Sequence, residues 1–114
     1  VYDLGQEWKE YTGLPMVFAV WAIRKEFASA SPEQVRIIHE TFKDSMQLSL
    51  NNIQAVAAKA AQWEEFPAQY LVDYFNSLRF DFDAHQQEGL AEYYRQAEEM
   101  GLIEAAPPLE ILDI

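Results

Sequence analysis

Few residues in this chain combine a reactive side chain with a spacing that predicts catalysis. The two histidines, His39 and His85, lie in predicted helices beside acidic residues, and neither has a second metal ligand four residues later. The acidic pairs Glu64-Glu65 and Glu98-Glu99 are adjacent in sequence, so on a helix their side chains diverge and form no catalytic dyad. Cysteine is absent, and there is no phosphate loop, nucleophile motif or zinc spacing. The sequence therefore predicts no metal site, and it leaves the catalytic residue unknown.

The best candidate for contact with a small molecule is a short break between two contrasting patterns. Gly13-Leu14-Pro15 ends a polar helical pattern, and an apolar run follows from Met16 to Arg24 with a charge only at its last residue. Such a run is typical of a strand buried on both faces. The turn has two interpretations of about equal weight: it only joins helix to strand, or it also lines a ligand cleft. On the second interpretation, the substrate-binding residues are Gly13, Leu14, Pro15, Met16, Val17 and Phe18.

Helices are predicted on both sides of this break. Asp3 can cap a helix over Leu4 to Tyr11, with Gly13 as its stop. A polar loop through Ala28 to Ala30 is expected next, and then Ser31-Pro32-Glu33-Gln34 begins a long helix with a capping box. The residues from Leu48 to Asn52 lower helix propensity and predict a kink or a split. The apolar face of this helix comprises Val35, Ile38, Phe42, Met46, Leu50, Ile53, Ala57 and Ala60.

Two further helices are predicted in the second half of the chain. Pro67 opens one, and Asp83 caps the other, which ends at Gly101 with Leu102 in a Schellman motif. The alternating residues 79–82 form either a short second strand or an extended link, and Pro107-Pro108 prevents any helix in the tail. The inward side chains are expected to be Tyr70, Leu71, Tyr74, Phe75 and Leu78 in the first helix and Leu90, Tyr94 and Ala97 in the second. The aromatic groups Tyr70/Tyr74/Phe75 and Tyr93/Tyr94 are expected to be core and not an aromatic cage.

Composition excludes several classes of partner. The 114 residues are 50% hydrophobic, which argues against disorder, and their net charge of −11 argues against nucleic acid and anionic membranes. No apolar run reaches the roughly 18 residues that a membrane span needs. A strand covered on both faces needs several neighbours, and this chain offers one good candidate. Together with an opening at Val1 without an initiating Met, this predicts a part of a larger protein. We expect the N-terminal part of the same protein, or self-association, to cover the strand.

The residues around the break resemble a known family. The pattern DLGxEWxxxTGLPxVFAVWxxR, from Asp3 to Arg24, resembles the chorismate dehydratases of menaquinone biosynthesis by the futalosine route. A sister enzyme later in that route shares the shorter DLGxxWxxxTGLP, but it tends to continue with a glycine-rich segment where this chain has Met16 to Trp21. The resemblance extends over the whole chain, which corresponds to about the last two-fifths of such a protein. Two small departures are Tyr11, where Trp is common, and Met16, where Phe is common.

The resemblance implies an α/β architecture, a type 2 periplasmic-binding-protein-like fold with a ligand cleft between two lobes. In that fold, residues 1–24 are the crossover helix and a strand of lobe one, and residues 25–114 are C-terminal helices completing lobe one. The implied reaction removes water from chorismate to give 3-[(1-carboxyvinyl)oxy]benzoate, without metal or organic cofactor, in a cytoplasmic enzyme whose polar anchors lie mostly in the N-terminal part. The alternative is a non-enzymatic small-molecule-binding or self-associating helical domain, since a fold alone does not determine function.

Overall fold

Six α-helices make up the regular structure of this chain in a computed structural model that describes residues 1–114. They are α1 (Leu4–Thr12), α2 (Lys25–Ala30), α3 (Pro32–Asn51), α4 (Ile53–Ala60), α5 (Ala68–Ser77) and α6 (Ala84–Glu99). The chain divides into two compact units. Unit 1 comprises Val1–Ala22 and Phe80–Asp113 and contains α1 and α6, whereas unit 2 comprises Ile23–Arg79 with Ile114 and contains α2 to α5. None of the helices combines the length and apolar character needed to cross a bilayer.

The predicted fold is an α/β protein to which this chain contributes mostly helices, one buried strand and possibly a short second strand. It is wrong for this chain, because the structure is all-helical and contains no strand. Residues 16–24, predicted to be a buried strand, have no regular secondary structure, and neither do residues 79–82, the possible second strand. A strand exists only through backbone hydrogen bonds to a neighbouring strand, and residues 16–20 make no backbone–backbone hydrogen bond. The apolar run also predicts buried side chains, but those from Phe18 to Ile23 are exposed in this chain, since no neighbouring strand or sheet covers them.

The predicted cap and stop of helix α1 are both confirmed. The Asp3 carboxylate accepts the Gln6 N–H at 3.0 Å, as an N-cap does. At the other end Gly13 adopts a left-handed conformation with φ of 77°, and its N–H donates to the Lys9 carbonyl at 2.8 Å. A side chain is disfavoured in this conformation, so the glycine stops the helix where the sequence predicts.

The predicted cap and end of helix α6 are also both confirmed. The Asp83 carboxylate accepts backbone N–H groups of the first turn. After the helix, Gly101 has φ of 70°, and the Leu102 N–H donates to the Ala97 carbonyl at 2.9 Å, which is the Schellman hydrogen bond. The tail from residue 106 onward has no regular secondary structure, in agreement with its prolines. Local capping rules therefore predict these boundaries well.

The core of unit 2 is small. It consists of Ala57 from α4 with Leu71 and Val72 from α5, and four partly buried side chains pack against it: Ile53, Ala60, Ala61 and Phe75. The predicted inner face of α5 is only partly right, because Val72 is buried while Tyr70 and Tyr74 are exposed. The packed face of α5 is narrower than the run of aromatic residues suggests, since α4 alone covers it among the helices.

The long apolar face predicted from Val35 to Ala60 is divided in the structure. The helix breaks at Asn52, which confirms the predicted split. Val35 and Ala57 are buried, but three large apolar residues between them, Ile38, Phe42 and Leu50, are each more than 40% exposed. Among the helices, α3 contacts only its sequence neighbours α2 and α4, so its middle is not covered by another helix.

Two predictions at the start of this region are wrong. Residues 25–30 form the short helix α2 where a polar loop is predicted at Ala28 to Ala30. Ser31 occupies the N-cap position of α3, but its side chain makes no capping hydrogen bond, so the predicted capping box is not formed. With α2 ending only one residue before α3 begins, Ser31 has φ of −142° and ψ of 54°, outside the extended conformation typical of an N-cap.

We expect the isolated 114-residue chain to self-associate. Phe18 is 74% exposed and Trp21 85% exposed, and neighbouring apolar residues enlarge this surface. Monomeric proteins rarely expose contiguous apolar patches beyond a few hundred Å². Light scattering should therefore give a mass above that of a monomer at high concentration, and the double variant Phe18→Ser, Trp21→Ser should lower it. Trp63→Ser, which removes an exposed tryptophan from unit 2, is the matched control. A compact, non-aggregating monomer would refute this expectation.

Candidate functional site

The six predicted binding residues, Gly13 to Phe18, form the connection that leaves α1 within unit 1; we call them the site segment. Its first turn is held by Thr12, whose hydroxyl donates to the Trp8 carbonyl at 2.8 Å and accepts the Leu14 N–H at 3.1 Å. A Cβ placed on Gly13 meets no atom within 4 Å. Gly13 therefore determines the direction of the chain without itself lying against another part of the protein.

The middle of the site segment lies directly against α6. A Cβ built on Gly89, a buried residue of α6, would be 2.3 Å from the carbonyl oxygen of Pro15. Real Cβ atoms essentially never approach another atom within 3.0 Å, so the chain can pass here only because residue 89 is glycine. This role of Gly89 is not predicted from the sequence. The available signal is a glycine inside a helical pattern, which often indicates close backbone approach or packing.

The end of the site segment lies against α1. A Cβ built on Gly5 would be 3.0 Å from Cζ of the Phe18 ring. The small residue thus lets one edge of the ring approach the helix, while most of the Phe18 side chain stays exposed. Gly5 and Phe18 both belong to the pattern that carries the family resemblance, so part of that pattern serves this contact.

An open cavity of about 290 Å³ lies between the site segment and α6. Its walls are Met16, Val17, Phe18, Ala19, Val20, Leu90, Tyr93 and Tyr94. We call it the apolar cavity, because no lysine, arginine or carboxylate lines it. Three of the six predicted binding residues, Met16, Val17 and Phe18, line this cavity, and Gly13 and Pro15 do not. Its chemistry suits a small and largely apolar ring, because only tyrosine hydroxyls and backbone groups can bond to polar substituents.

A second open cavity, of about 350 Å³, lies nearby in unit 1. Its walls are Tyr11, Thr12, Leu14, Glu92, Arg95 and Gln96, and we call it the ion-pair cavity. Arg95 donates through Nε and Nη2 to the two carboxylate oxygens of Glu92, each at 2.6 Å, and it also pairs with Glu99. This guanidinium is already paired with two carboxylates, so it is a poor anchor for an additional anion.

The hydrogen bonds from Arg95 also determine the protonation state of Glu92. Hydrogen bonds from Arg95, and a further one from Gln96 at 2.7 Å, favour the ionised carboxylate and lower the pKa of Glu92 to about 2. A group with that pKa stays ionised at any ordinary pH and is a weak proton acceptor. Glu92 is therefore a poor general acid or base, although it is the acidic side chain next to the site segment in this cavity.

Neither histidine lines either cavity. His39 and His85 are both exposed, which confirms the prediction of surface positions. His85 is 3.9 Å from Glu88, and both side chains are mostly in solvent. No group of three or more histidine, aspartate or glutamate side chains is arranged to hold a metal ion.

Replacing Gly13 with valine tests whether the site segment contributes to binding. The left-handed backbone at this position resists a β-branched residue, so we expect a loss of stability on the order of 1–3 kcal/mol, seen as a lower Tm. Gly101→Val is the matched control, because Gly101 has a similar φ and equally open surroundings. We expect similar losses of stability in both variants but a fall in turnover per folded molecule only for Gly13→Val. An unchanged kcat/KM in Gly13→Val would make the turn purely structural.

A comparison with known protein families gives a match for this chain. A family model described as menaquinone biosynthesis matches residues 1–99. The matched range includes α1, the site segment and all of α6, so it contains every residue that lines the two cavities.

Proposed function

Because this chain belongs to the menaquinone-biosynthesis family, we propose that the complete protein is a chorismate dehydratase of the futalosine route. The family match over residues 1–99 carries the proposal. The choice of reaction within the family is supported by residues 16–21, which resemble the dehydratases and lack the glycine-rich segment of the later enzyme.

The proposed reaction is an elimination that leaves the oxidation level of the substrate unchanged. A ring proton and a ring hydroxyl leave chorismate as one molecule of water, and the ring becomes aromatic in 3-[(1-carboxyvinyl)oxy]benzoate. The reaction needs a base for the proton, a donor for the departing hydroxyl and anchors for two carboxylates. It needs no oxidant or reductant, and aromatisation of the ring supplies the driving force. We therefore propose a mechanism without metal or organic cofactor. The catalytic base is not assigned to any residue of this chain.

We propose that the site segment forms one wall of the substrate site. Met16, Val17 and Phe18 support this assignment, because they line the apolar cavity beside α6. Donors for two carboxylates are missing there, since no lysine or arginine lines the apolar cavity and Arg95 is paired with glutamates. We therefore propose that other parts of the complete protein supply the carboxylate anchors and cover the exposed apolar side chains after the site segment.

The proposal is tested by mixing the complete protein with chorismate and following the aromatic product by absorbance, with and without a chelator. Product at the same rate in both samples is the expected result. Loss of activity with the chelator would refute the mechanism without metal, and absence of product in both samples would refute the dehydratase assignment.

A further inference from the structure

Two tyrosines predicted to belong to the core line the apolar cavity instead. Tyr93 is 44% exposed and Tyr94 is half-buried, and both form the α6 side of the cavity. Neither phenolic hydroxyl makes a hydrogen bond within the chain. A tyrosine at the wall of a cavity with a free hydroxyl can bond to a ligand, because its ring supplies apolar contact and its O–H supplies a donor.

Packing determines where these rings lie. Tyr93 contacts the Trp8 ring of α1 edge-on, with ring centroids 5.7 Å apart, and contacts Tyr94 at 6.3 Å with an angle of 64° between the rings. Leu90, buried one turn earlier in α6, lies in the same wall. Aromatic pairs in this arrangement are favourable beyond the area they bury. The row of three rings therefore holds the α6 wall in place before any ligand binds.

The opposite wall offers peptide groups without backbone partners. Residues 16–20 make no backbone–backbone hydrogen bond, although Met16 and Val17 are half-buried. Peptide groups that leave water need a hydrogen-bond partner, so a ligand with oxygen substituents can supply one here. The cavity thus combines apolar side chains on both walls with hydroxyl and peptide donors and no charged group.

We propose that Tyr93 and Tyr94 are specificity-determining residues that bind the six-membered ring of a small cyclic carboxylate, with the Tyr94 hydroxyl donating to an oxygen on that ring. The volume of about 290 Å³ is at the lower end of the range of ligand pockets, which favours one ring over a larger ligand. Because lysine and arginine are absent from the walls, the ring and not the carboxylate lies here. Identifying the ring as that of chorismate rests on the proposed function.

A ligand that cannot react tests this site independently of turnover. We choose 3-methoxybenzoate, which has one ring, one ring oxygen and one carboxylate, and measure its Kd for the complete protein by titration calorimetry. Loss of one hydrogen bond of ordinary strength corresponds to roughly a 3–10-fold weaker Kd. We expect that change for Tyr94→Phe, a smaller one for Tyr93→Phe, and none for Tyr70→Phe, an exposed tyrosine of α5. Thermal unfolding shows that each variant is folded.

The same variants are then assayed with chorismate, so that the two proposals are separated. We call the proposed binding of the ligand ring by Tyr93 and Tyr94 the ring site. If the Tyr94→Phe protein binds 3-methoxybenzoate more weakly and the unmodified protein does not turn over chorismate, the ring site is supported and the dehydratase assignment is refuted. If chorismate is turned over but Tyr94→Phe changes neither Kd nor KM, the ring site is overturned and the dehydratase assignment stands. Absence of 3-methoxybenzoate binding to the unmodified protein also overturns the ring site.

Discussion

Replacing Gly89 with alanine is expected to displace the site segment from α6 and to lower both stability and turnover. The added Cβ would be 2.3 Å from the carbonyl oxygen of Pro15, which is a backbone atom and cannot move aside as a flexible side chain can. At an exposed position inside a helix, replacing glycine with alanine stabilises the folded protein by about 1 kcal/mol. In Gly89→Ala the crowding against Pro15 outweighs this gain, and we expect the free energy of unfolding to fall by about 2 kcal/mol.

The measurement is thermal or denaturant unfolding of the complete protein, followed by turnover per folded molecule. Glu88→Ala is the matched control, because it changes the adjacent, exposed residue of α6 to the same amino acid. We expect the control to retain stability within about 0.5 kcal/mol, as surface substitutions usually do. A Gly89→Ala protein as stable and as active as the unmodified protein would show that the close approach of Pro15 to α6 has no functional role.

The second large expected effect is a difference in chorismate turnover between this chain and the complete protein. We expect turnover of chorismate by the complete protein and none by the 114 residues alone. The physical reason is the absence of free cationic groups at the apolar cavity, together with a net charge of −11 that repels a dicarboxylate. Rate acceleration depends on holding both carboxylates in one geometry. Full activity of the isolated chain would refute this division of the site.

Features that depend on local chemistry could be predicted from the sequence. The caps at Asp3 and Asp83 and the stops at Gly13 and Gly101 each depend on residues within a few positions, and all four are confirmed. The split of the long helix at Asn52 likewise follows from poor helix formers in one short stretch. Such features need no knowledge of what packs against the helix.

Features that depend on distant partners could not be predicted in the same way. The apolar run after Pro15 has the composition of a strand, but no second strand is present to bond with it. The same reason explains Tyr93 and Tyr94, whose helical spacing indicates one face of α6 but not whether that face meets the core or an open cavity. The contact between Gly89 and Pro15 joins residues 74 positions apart, and periodicity carries no information about it.

The most direct test of this account is a proton NMR time course of chorismate mixed with the complete protein in buffer without added metal or cofactor. We predict that the signals of the cyclohexadiene ring disappear while aromatic signals of 3-[(1-carboxyvinyl)oxy]benzoate appear in equal amount, with the enolpyruvyl group retained. Chorismate that remains unchanged, or a product that has lost or moved the enolpyruvyl group, would contradict the account.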